Sequence, residues 1–174
     1  IPAPTKLPIP APTKLPTPEP SARPSLTPTS MPTELNLVTN GGFCNGVVVS
    51  EWSYADPDSW SSAGDAGNSV VISSGNANWG GLESIVGDYH QGLQLNGAFI
   101  SQTVTFAQAG GYKLSLYAAS RSGFAPANLT ATVTASGVTT AAATIDTGEL
   151  SASFAYFSTT FSMAAGNATL KLVN

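Results

Sequence analysis

From residue 35 onward, apolar and polar residues alternate with a period of two. Val104 and Phe106 fall on one face of their segment, and Thr103 and Thr105 fall on the other. Because successive side chains of a strand point to opposite faces, this pattern predicts half-buried antiparallel strands. The expected strands are 35–38, 44–50, 68–74, 82–86, 92–95, 98–106, 111–119, 128–136, 139–146, 151–162 and 168–173.

No stretch carries a 3.6-residue apolar period with capping residues, and the apolar runs are separated by Gly, Asn, Ser and Asp. About ten short strands bounded by turn residues are typical of a β-sandwich or jelly roll. We therefore predict an all-β, antiparallel β-sandwich or jelly roll over residues 34–174. In its strand over 151–162 and just beyond, we expect inward-pointing Phe154, Tyr156, Phe161 and Met163.

Residues 1–33 follow a different pattern, because proline stands at every fourth position from Pro4 to Pro32. This segment holds eleven of the thirteen prolines of the chain. Each proline fixes its own φ and pushes the preceding residue toward extended conformations. The repeat predicts a polyproline II stalk that rises about 3.1 Å per residue. Since the chain begins at Ile1 inside the repeat, we expect a processed or partial product.

A hydroxyl residue usually follows each repeat proline, which is the composition of O-glycosylated stalks. A plain semi-rigid linker is the alternative interpretation. The candidate hydroxyl sites are Thr5, Thr13, Thr17, Ser21, Ser25, Thr29 and Thr33. Candidate prolines for hydroxylation followed by glycosylation are Pro4, Pro8, Pro12 and Pro16.

The low content of charged residues argues against nucleic-acid binding. Charged residues make up 9% of the sequence, against about 25% in typical soluble domains. The net charge is −4 with six Lys and Arg, so the positive footprint of a nucleic-acid-binding protein is missing. No apolar run reaches the roughly 20 residues of a membrane span. A neutral polar surface favours an extracellular or cell-surface location.

The residues that carry most catalytic chemistry are scarce. The single cysteine, Cys44, excludes an intrachain disulfide, which leaves a buried free thiol or an intermolecular bridge. A serine triad would need the single histidine, His90, and no nucleophile elbow surrounds any serine. We therefore predict no enzyme activity. Carboxylates are available for acid–base catalysis, but their spacing selects no catalytic pair. They are Glu51, Glu83, Asp88 and Glu149.

Aromatic residues in the expected loops are the best candidates for a binding site, because flat rings stack on sugar rings and loops carry binding residues. The sugar-stacking candidates are Trp79, Tyr89, Trp52 and Trp60, and Tyr54 and Phe124 are the other aromatic residues of these loops. Trp79 and Tyr89 are the preferred pair. Trp52 and Trp60 have an alternative role, which is to pack the edge of the sandwich.

Polar residues near these aromatics add to the candidate site. Asn78, Asp88, His90 and Arg121 are expected to supply hydrogen bonds to a sugar. Two sequons, Asn128-Leu-Thr and Asn167-Ala-Thr, mark N-glycosylation candidates.

Three segments together resemble galactose-binding-like jelly rolls, the fold shared by many carbohydrate-binding modules and by related bacterial and algal surface domains. They are NLVTNGGF (36–43), GLQLNGAFISQTVTF (92–106) and GGYKLSLYAASR (110–121). The resemblance implies the jelly-roll fold more strongly than a function.

The same resemblance bears on metal binding. In the family, Asn-Gly-x-Phe is commonly followed by a glutamate that helps to bind a structural calcium ion. Here Cys44 takes that position and the last strand, NATLKLV, has no carboxylate, so we expect no cofactor. A hard cation held by Asp56, Asp58 and Asp65 and an Asp-rich turn are the two interpretations of the nearby acidic residues.

Two functions fit these observations. The first is a structural subunit of an extracellular filament, which assembles head-to-tail with other copies of itself through its extended, glycosylated stalk. The alternative is a non-catalytic carbohydrate-binding module tethered by a Pro/Thr-rich linker. An exposed aromatic strip favours the module, whereas aromatics that are buried or face another subunit favour the filament.

Overall fold

The period-two pattern forms the strands on which the domain is built. The structure, a computed structural model, describes residues 35–46, 49–62 and 68–174, all within one unit, Leu35–Asn174. The proline repeat and its glycosylation candidates lie outside the described residues. The strands are β1 (Trp52–Tyr54), β2 (Ser69–Ser73), β3 (Tyr89–Leu93), β4 (Phe99–Phe106), β5 (Gly110–Ala118), β6 (Thr130–Ala135), β7 (Ala143–Asp146), β8 (Ala155–Met163) and β9 (Gly166–Val173).

These strands form three antiparallel sheets with the orders β1-β2-β3, β4-β9-β6-β7 and β5-β8. A short 3₁₀ helix, Ala77–Trp79, lies between β2 and β3. The longest pairings run the full length of their strands, with Phe99 opposite Val173 and Gly110 opposite Met163. The predicted all-β, antiparallel class is confirmed, and the arrangement is compatible with a β-sandwich.

The main hydrophobic core collects the inward faces of these strands. Val104 and Phe106 are buried while Thr103 and Thr105 are exposed, as the alternation predicts. The Phe106 ring meets the Tyr112 ring edge-on, with centroids 4.6 Å apart. The other buried members are Trp60, Ile100, Leu114, Ala131, Val133, Ala143, Ile145, Met163, Ala168 and Leu170.

Three expected strands are wrong. Residues 35–38, the described part of 44–50 and residues 82–86 form turns and loops instead. In two of these segments a backbone N–H donates to a side chain rather than to a neighbouring strand. The Val38 N–H donates to Asn36 Oδ1 at 3.1 Å, and the Ser84 N–H donates to Ser74 Oγ at 2.9 Å. Such local bonds compete with a β ladder.

Two strands of the three-stranded sheet also differ from the prediction. Strand β1 occupies Trp52–Tyr54, where no strand was expected, and β3 covers Tyr89–Leu93 rather than 92–95. Both strands pair with β2, which places Trp52 opposite Ile72 and Leu93 opposite Ser69. Pairing with β2 therefore sets the bounds of both strands. The three residues of β1 are too few to show a period-two pattern of their own.

The face of β8 also differs from the expected one. Tyr156 is 48% exposed and lies opposite Tyr117 on β5, with the ring centroids 5.1 Å apart. The residues that pack against the core are Phe157, Phe161 and Met163, which keep a regular period of two. Phe154 precedes the strand, which begins at Ala155. The expected inward direction of Tyr156 is therefore wrong.

The segment around Thr39, here called the entry segment, forms no strand, and a buried glutamine of β4 attaches it to the four-stranded sheet. Gln102 on β4 is 6% exposed. Its Oε1 accepts from the Thr39 N–H at 2.8 Å, and its Nε2 donates to the Thr39 carbonyl at 2.8 Å and to the Ser59 carbonyl at 3.1 Å. One amide thus satisfies three backbone groups that lack a β-ladder partner.

Replacement of this glutamine is expected to destabilise the domain strongly. Gln102→Leu removes every one of these hydrogen bonds, so the backbone of Thr39 and Ser59 loses its side-chain link to the sheet. We expect the free energy of unfolding to fall by about 2–4 kcal/mol, measured by urea denaturation of the full chain. Gln108→Leu is the control, because Gln108 is exposed. A loss for Gln102→Leu no larger than that of the control would refute this role.

Candidate functional site

One face of the three-stranded sheet carries a second cluster of apolar residues. Trp52 lies opposite Ile72, and Tyr54 lies opposite Val70, so their side chains share one face. The other face of this sheet carries Leu93, which packs against the main core. We call the face that bears Trp52 and Tyr54 the aromatic face.

Trp79 covers this face from the 3₁₀ helix. Asn76 caps the helix by accepting from the Asn78 N–H at 2.9 Å. The Trp79 side chain is 9% exposed and forms a buried cluster with Val70 and Ile72. Gly92 on β3 leaves the room for this packing, because a Cβ there would lie 2.8 Å from Ile72 Cδ1.

Two aromatic rings remain exposed beside Trp79. Trp52 is 39% exposed and Tyr54 is 45% exposed. The Trp52 centroid lies 5.4 Å from that of Tyr54 and 5.9 Å from that of Trp79. The Tyr54 hydroxyl donates to Gln94 Oε1 at 2.7 Å, which restrains its orientation. The interplanar angles of 84° and 62° make a corrugated surface that offers separate ring faces.

Arg121 extends this row of rings across a loop. Its guanidinium carbon lies 4.5 Å from the Trp79 centroid and 4.0 Å from the Phe124 centroid, and Nη2 donates to the Asn78 carbonyl. Phe124 is 62% exposed. We call Tyr54, Trp52, Trp79 and Phe124 the aromatic strip. A shallow depression of about 450 Å³ lies at its Phe124 end, lined by Asn78, Gly80, Gly81, Arg121, Ser122 and Phe124.

The structure separates the four sugar-stacking candidates. Trp52 and Trp79 meet on the aromatic strip. Trp60 is instead a core residue, 7% exposed, with its ring 5.4 Å from that of Phe43 and its Nε1 donating to the Asn40 carbonyl. Because its ring is covered, Trp60 is unsuited to stacking on a sugar, and its alternative role in packing agrees with this position.

Tyr89, one of the preferred pair, does not join Trp79. It shares its face of β3 with Gln91 and Leu93, because side chains alternate along a strand. His90 and Gly92 of the same strand lie on the aromatic face. Tyr89 lies at the start of a strand rather than in the expected loop, so its direction follows the strand alternation. Tyr54, by contrast, belongs to the strip, and the spacing of Trp52 and Tyr54 by two residues was the available signal.

The polar candidates are also divided. Asn78 and Arg121 line the depression, whereas Asp88 is exposed in the turn before β3. Both N-glycosylation candidates are exposed: Asn128 precedes β6, and Asn167 lies on β9 with its Oδ1 accepting from Thr105 Oγ1 at 2.9 Å. Their modification stays a prediction.

Of the acidic residues considered for a cation, Asp56 makes structural hydrogen bonds. Asp56 Oδ2 accepts from the Ser62 N–H at 2.8 Å and from Ser62 Oγ at 3.0 Å, which closes a turn. Asp58 is exposed, and Asp65 lies outside the described residues. Within 35–46, 49–62 and 68–174, no group of three or more His, Cys, Asp or Glu side chains is arranged to hold a metal.

Cys44 is half-buried rather than fully buried as expected. Its Sγ contacts the carbonyl oxygens of Gly42 at 3.1 Å and of Val86 at 3.5 Å. The turn at Gly87 lies against this sulfur, and a Cβ at Gly87 would come within 2.1 Å of it. The thiol therefore fills the space beside this turn.

Comparison with known proteins leaves the family open. No protein-family profile matches the chain, and no curated protein is significantly similar to it. The all-β architecture is established from the strands themselves, and the galactose-binding-like relationship stays a prediction from the three sequence segments. In the part of the chain that the structure describes, no helix is both long and apolar enough to cross a membrane.

His90 lies on the aromatic face, at the edge away from Trp52. Its Nδ1 lies 3.2 Å from Ser84 Oγ, and its ring meets the Phe154 ring edge-on with centroids 5.9 Å apart. Burial lowers the pKa of the imidazole from its ordinary value of 6.5, because the charged form loses hydration. His90 is therefore neutral at physiological pH.

This shift predicts a pH dependence of stability. Below about pH 6.5 the unfolded chain binds a proton at His90 before the folded chain does, so the free energy of unfolding decreases as the pH falls and levels off below the folded pKa. Because the chain has one histidine, NMR titration of its imidazole reads the pKa directly, and we expect a midpoint below 6.5. His90→Asn should reduce the stability difference between about pH 7.5 and about pH 5.5. A midpoint above 6.5 would contradict the burial of this ring.

Proposed function

We propose that this domain is a non-catalytic carbohydrate-binding module whose aromatic strip binds a polysaccharide outside the cell. The supporting observation is the exposure of Trp52 and Tyr54, 39% and 45%, beside a third aromatic ring on one sheet face. A single exposed aromatic residue needs no explanation, but adjacent exposed rings in one row are typical of a binding surface.

The chemistry of the strip suits sugar rings. The apolar C–H face of a pyranose gains dispersion contacts and loses little hydration when it stacks on an aromatic face. Trp52 and Tyr54 have few rotatable bonds and are held by Trp79 and Gln94, so binding orders little additional structure. The tilted rings provide separate contacts for successive sugars of a chain.

The surroundings of the strip also agree with this proposal. Charged residues make up 9% of the sequence, so neutral hydroxyl and amide groups dominate the polar surface. Such groups exchange hydrogen bonds with sugar hydroxyls without the large desolvation cost of burying ions. The proline repeat would then act as a spacer between this module and its attachment point.

A filament subunit is the second proposal, and one observation favours it. Tyr117 and Tyr156 form another exposed aromatic pair on the outer face of β5 and β8, 51% and 48% exposed. A second copy of the chain that covered this pair would bury apolar surface. Electron microscopy of the full chain tests this proposal: filaments would support it, and monomers at all concentrations would count against it.

Truncation of the central exposed ring is expected to remove most polysaccharide binding. Trp52→Ala deletes the stacking face, and we expect the affinity to fall by about 2 kcal/mol, or roughly 30-fold. Affinity electrophoresis against a panel of neutral and acidic plant and algal polysaccharides measures the change. The loss should be confined to ligands that the unmodified protein retards.

Tyr117→Ala is the matched control for this experiment. Tyr117 is also an exposed aromatic residue on a strand, but it lies on a different sheet. We expect its replacement to leave binding unchanged. Equal losses for both variants would indicate non-specific adsorption, and retention of binding by Trp52→Ala would exclude the strip as the site.

A further inference from the structure

The planar guanidinium of Arg121 is held between two aromatic rings. Its central carbon lies 4.5 Å from the Trp79 ring centroid and 4.0 Å from the Phe124 ring centroid. At these distances the rings attract the guanidinium through cation–π contacts, which do not require a counter-ion. The contact therefore sets the position of a cation without neutralising it.

The charge of Arg121 has no counter-ion among the described residues. Its contacts there are the two rings and the hydrogen bond from Nη2 to the Asn78 carbonyl. A guanidinium has five N–H donors, so four remain for a ligand or for water. In a chain with a net charge of −4, a cation without a counter-ion among the described residues would favour anionic ligands over neutral ones.

The depression beside Arg121 is built by tightly packed backbone. Gly80 has a φ of +91°, and a Cβ at this position would lie 3.0 Å from the Ser122 backbone nitrogen. Glycine therefore allows the loop at 121–122 to approach the 3₁₀ helix. Gly81, with a φ of +70°, has no atom within 4 Å of the place that a Cβ would occupy, and it leaves one side of the depression open.

We propose that this depression binds an anionic sugar unit of the polysaccharide, through the carboxylate of a uronic acid or through a sulfate ester. The planar carboxylate has two terminal oxygens and the tetrahedral sulfate ester has three, and in each group two of them can accept paired hydrogen bonds from a guanidinium edge. The neighbouring sugars of the same chain would lie on Trp52 and Tyr54. This inference rests on the proposed function and adds the class of ligand to it.

Arg121 also has a simpler interpretation, in which it only clamps its loop onto the 3₁₀ helix. The two interpretations differ in what they predict. A clamp affects all ligands and the stability of the fold alike, whereas an anion-binding group affects charged ligands alone. The test therefore compares polymers of galactose-type sugars that differ in charge.

The experiment measures binding of the full chain to polygalacturonate, to a sulfated galactan and to a neutral galactan. We expect the unmodified protein to bind at least one anionic polymer more tightly than the neutral one, with an affinity that decreases as salt is added. Arg121→Met should weaken binding to that anionic polymer by about tenfold or more. Binding to the neutral polymer should change by less than about twofold.

Two further variants complete the design. Arg121→Lys keeps the charge but loses the planar edge, so we expect an intermediate affinity for the anionic polymer. Lys171→Met removes one positive charge from β9 on the four-stranded sheet, where the ammonium lies 3.9 Å from the Phe99 ring centroid. It should leave the affinity for every polymer unchanged. Preference for polygalacturonate or for the sulfated galactan identifies which anion is bound.

The outcomes separate the two proposals. Binding to neutral galactan that depends on Trp52, without any preference for an anionic polymer, would overturn this inference and leave the binding module intact. An equal loss for all polymers in Arg121→Met would assign the clamp role and also overturn it. Failure of the unmodified protein to bind any polysaccharide would reject the proposed function together with this inference.

Discussion

The buried amide of Gln102 is the interaction on which the rest of the domain depends. The entry segment and the loop before Trp60 form no strand, so their backbone groups need partners from elsewhere. Gln102 supplies them to Thr39 and Ser59, and the Asn40 side chain links Asn45 to Asp58 in the same region. These side-chain amides position the loops that cover the core, because they supply hydrogen bonds that no neighbouring strand provides.

The domain uses its aromatic residues in two separate ways. Trp60 and Phe106 belong to the main core, where they are buried and contact other rings. Trp79 belongs to a second cluster on the opposite face of the three-stranded sheet, and it supports the exposed ring of Trp52. Because Trp79 packs against Trp52, the proposed binding of a polysaccharide would order little additional structure.

Charged residues make up 9% of the sequence, so the contacts of each charged side chain bear on how the surface binds a ligand in the proposed function. Lys171 lies over the Phe99 ring, and Arg121 lies between Trp79 and Phe124. Cation–π contacts hold these groups in position while their charge stays available, unlike a salt bridge, which neutralises both partners. In the proposed binding function, a positioned cation beside a row of exposed rings would combine apolar stacking with selection by charge.

The sequence by itself determined the strands that carry long alternating runs, such as β4 with Val104 and Phe106, because the period of two is a local property. It also supplied most residues of the candidate site, including Trp52, Trp79 and Arg121, but without their arrangement. Only the tertiary structure decided that Trp60 is buried while Trp52 is exposed, and that Tyr89 faces away from Trp79. The burial of a side chain, and the sheet face on which it lies, depend on pairing with β2 and on hydrogen bonds between distant segments. Neither property follows from the identity of a residue or of its neighbours.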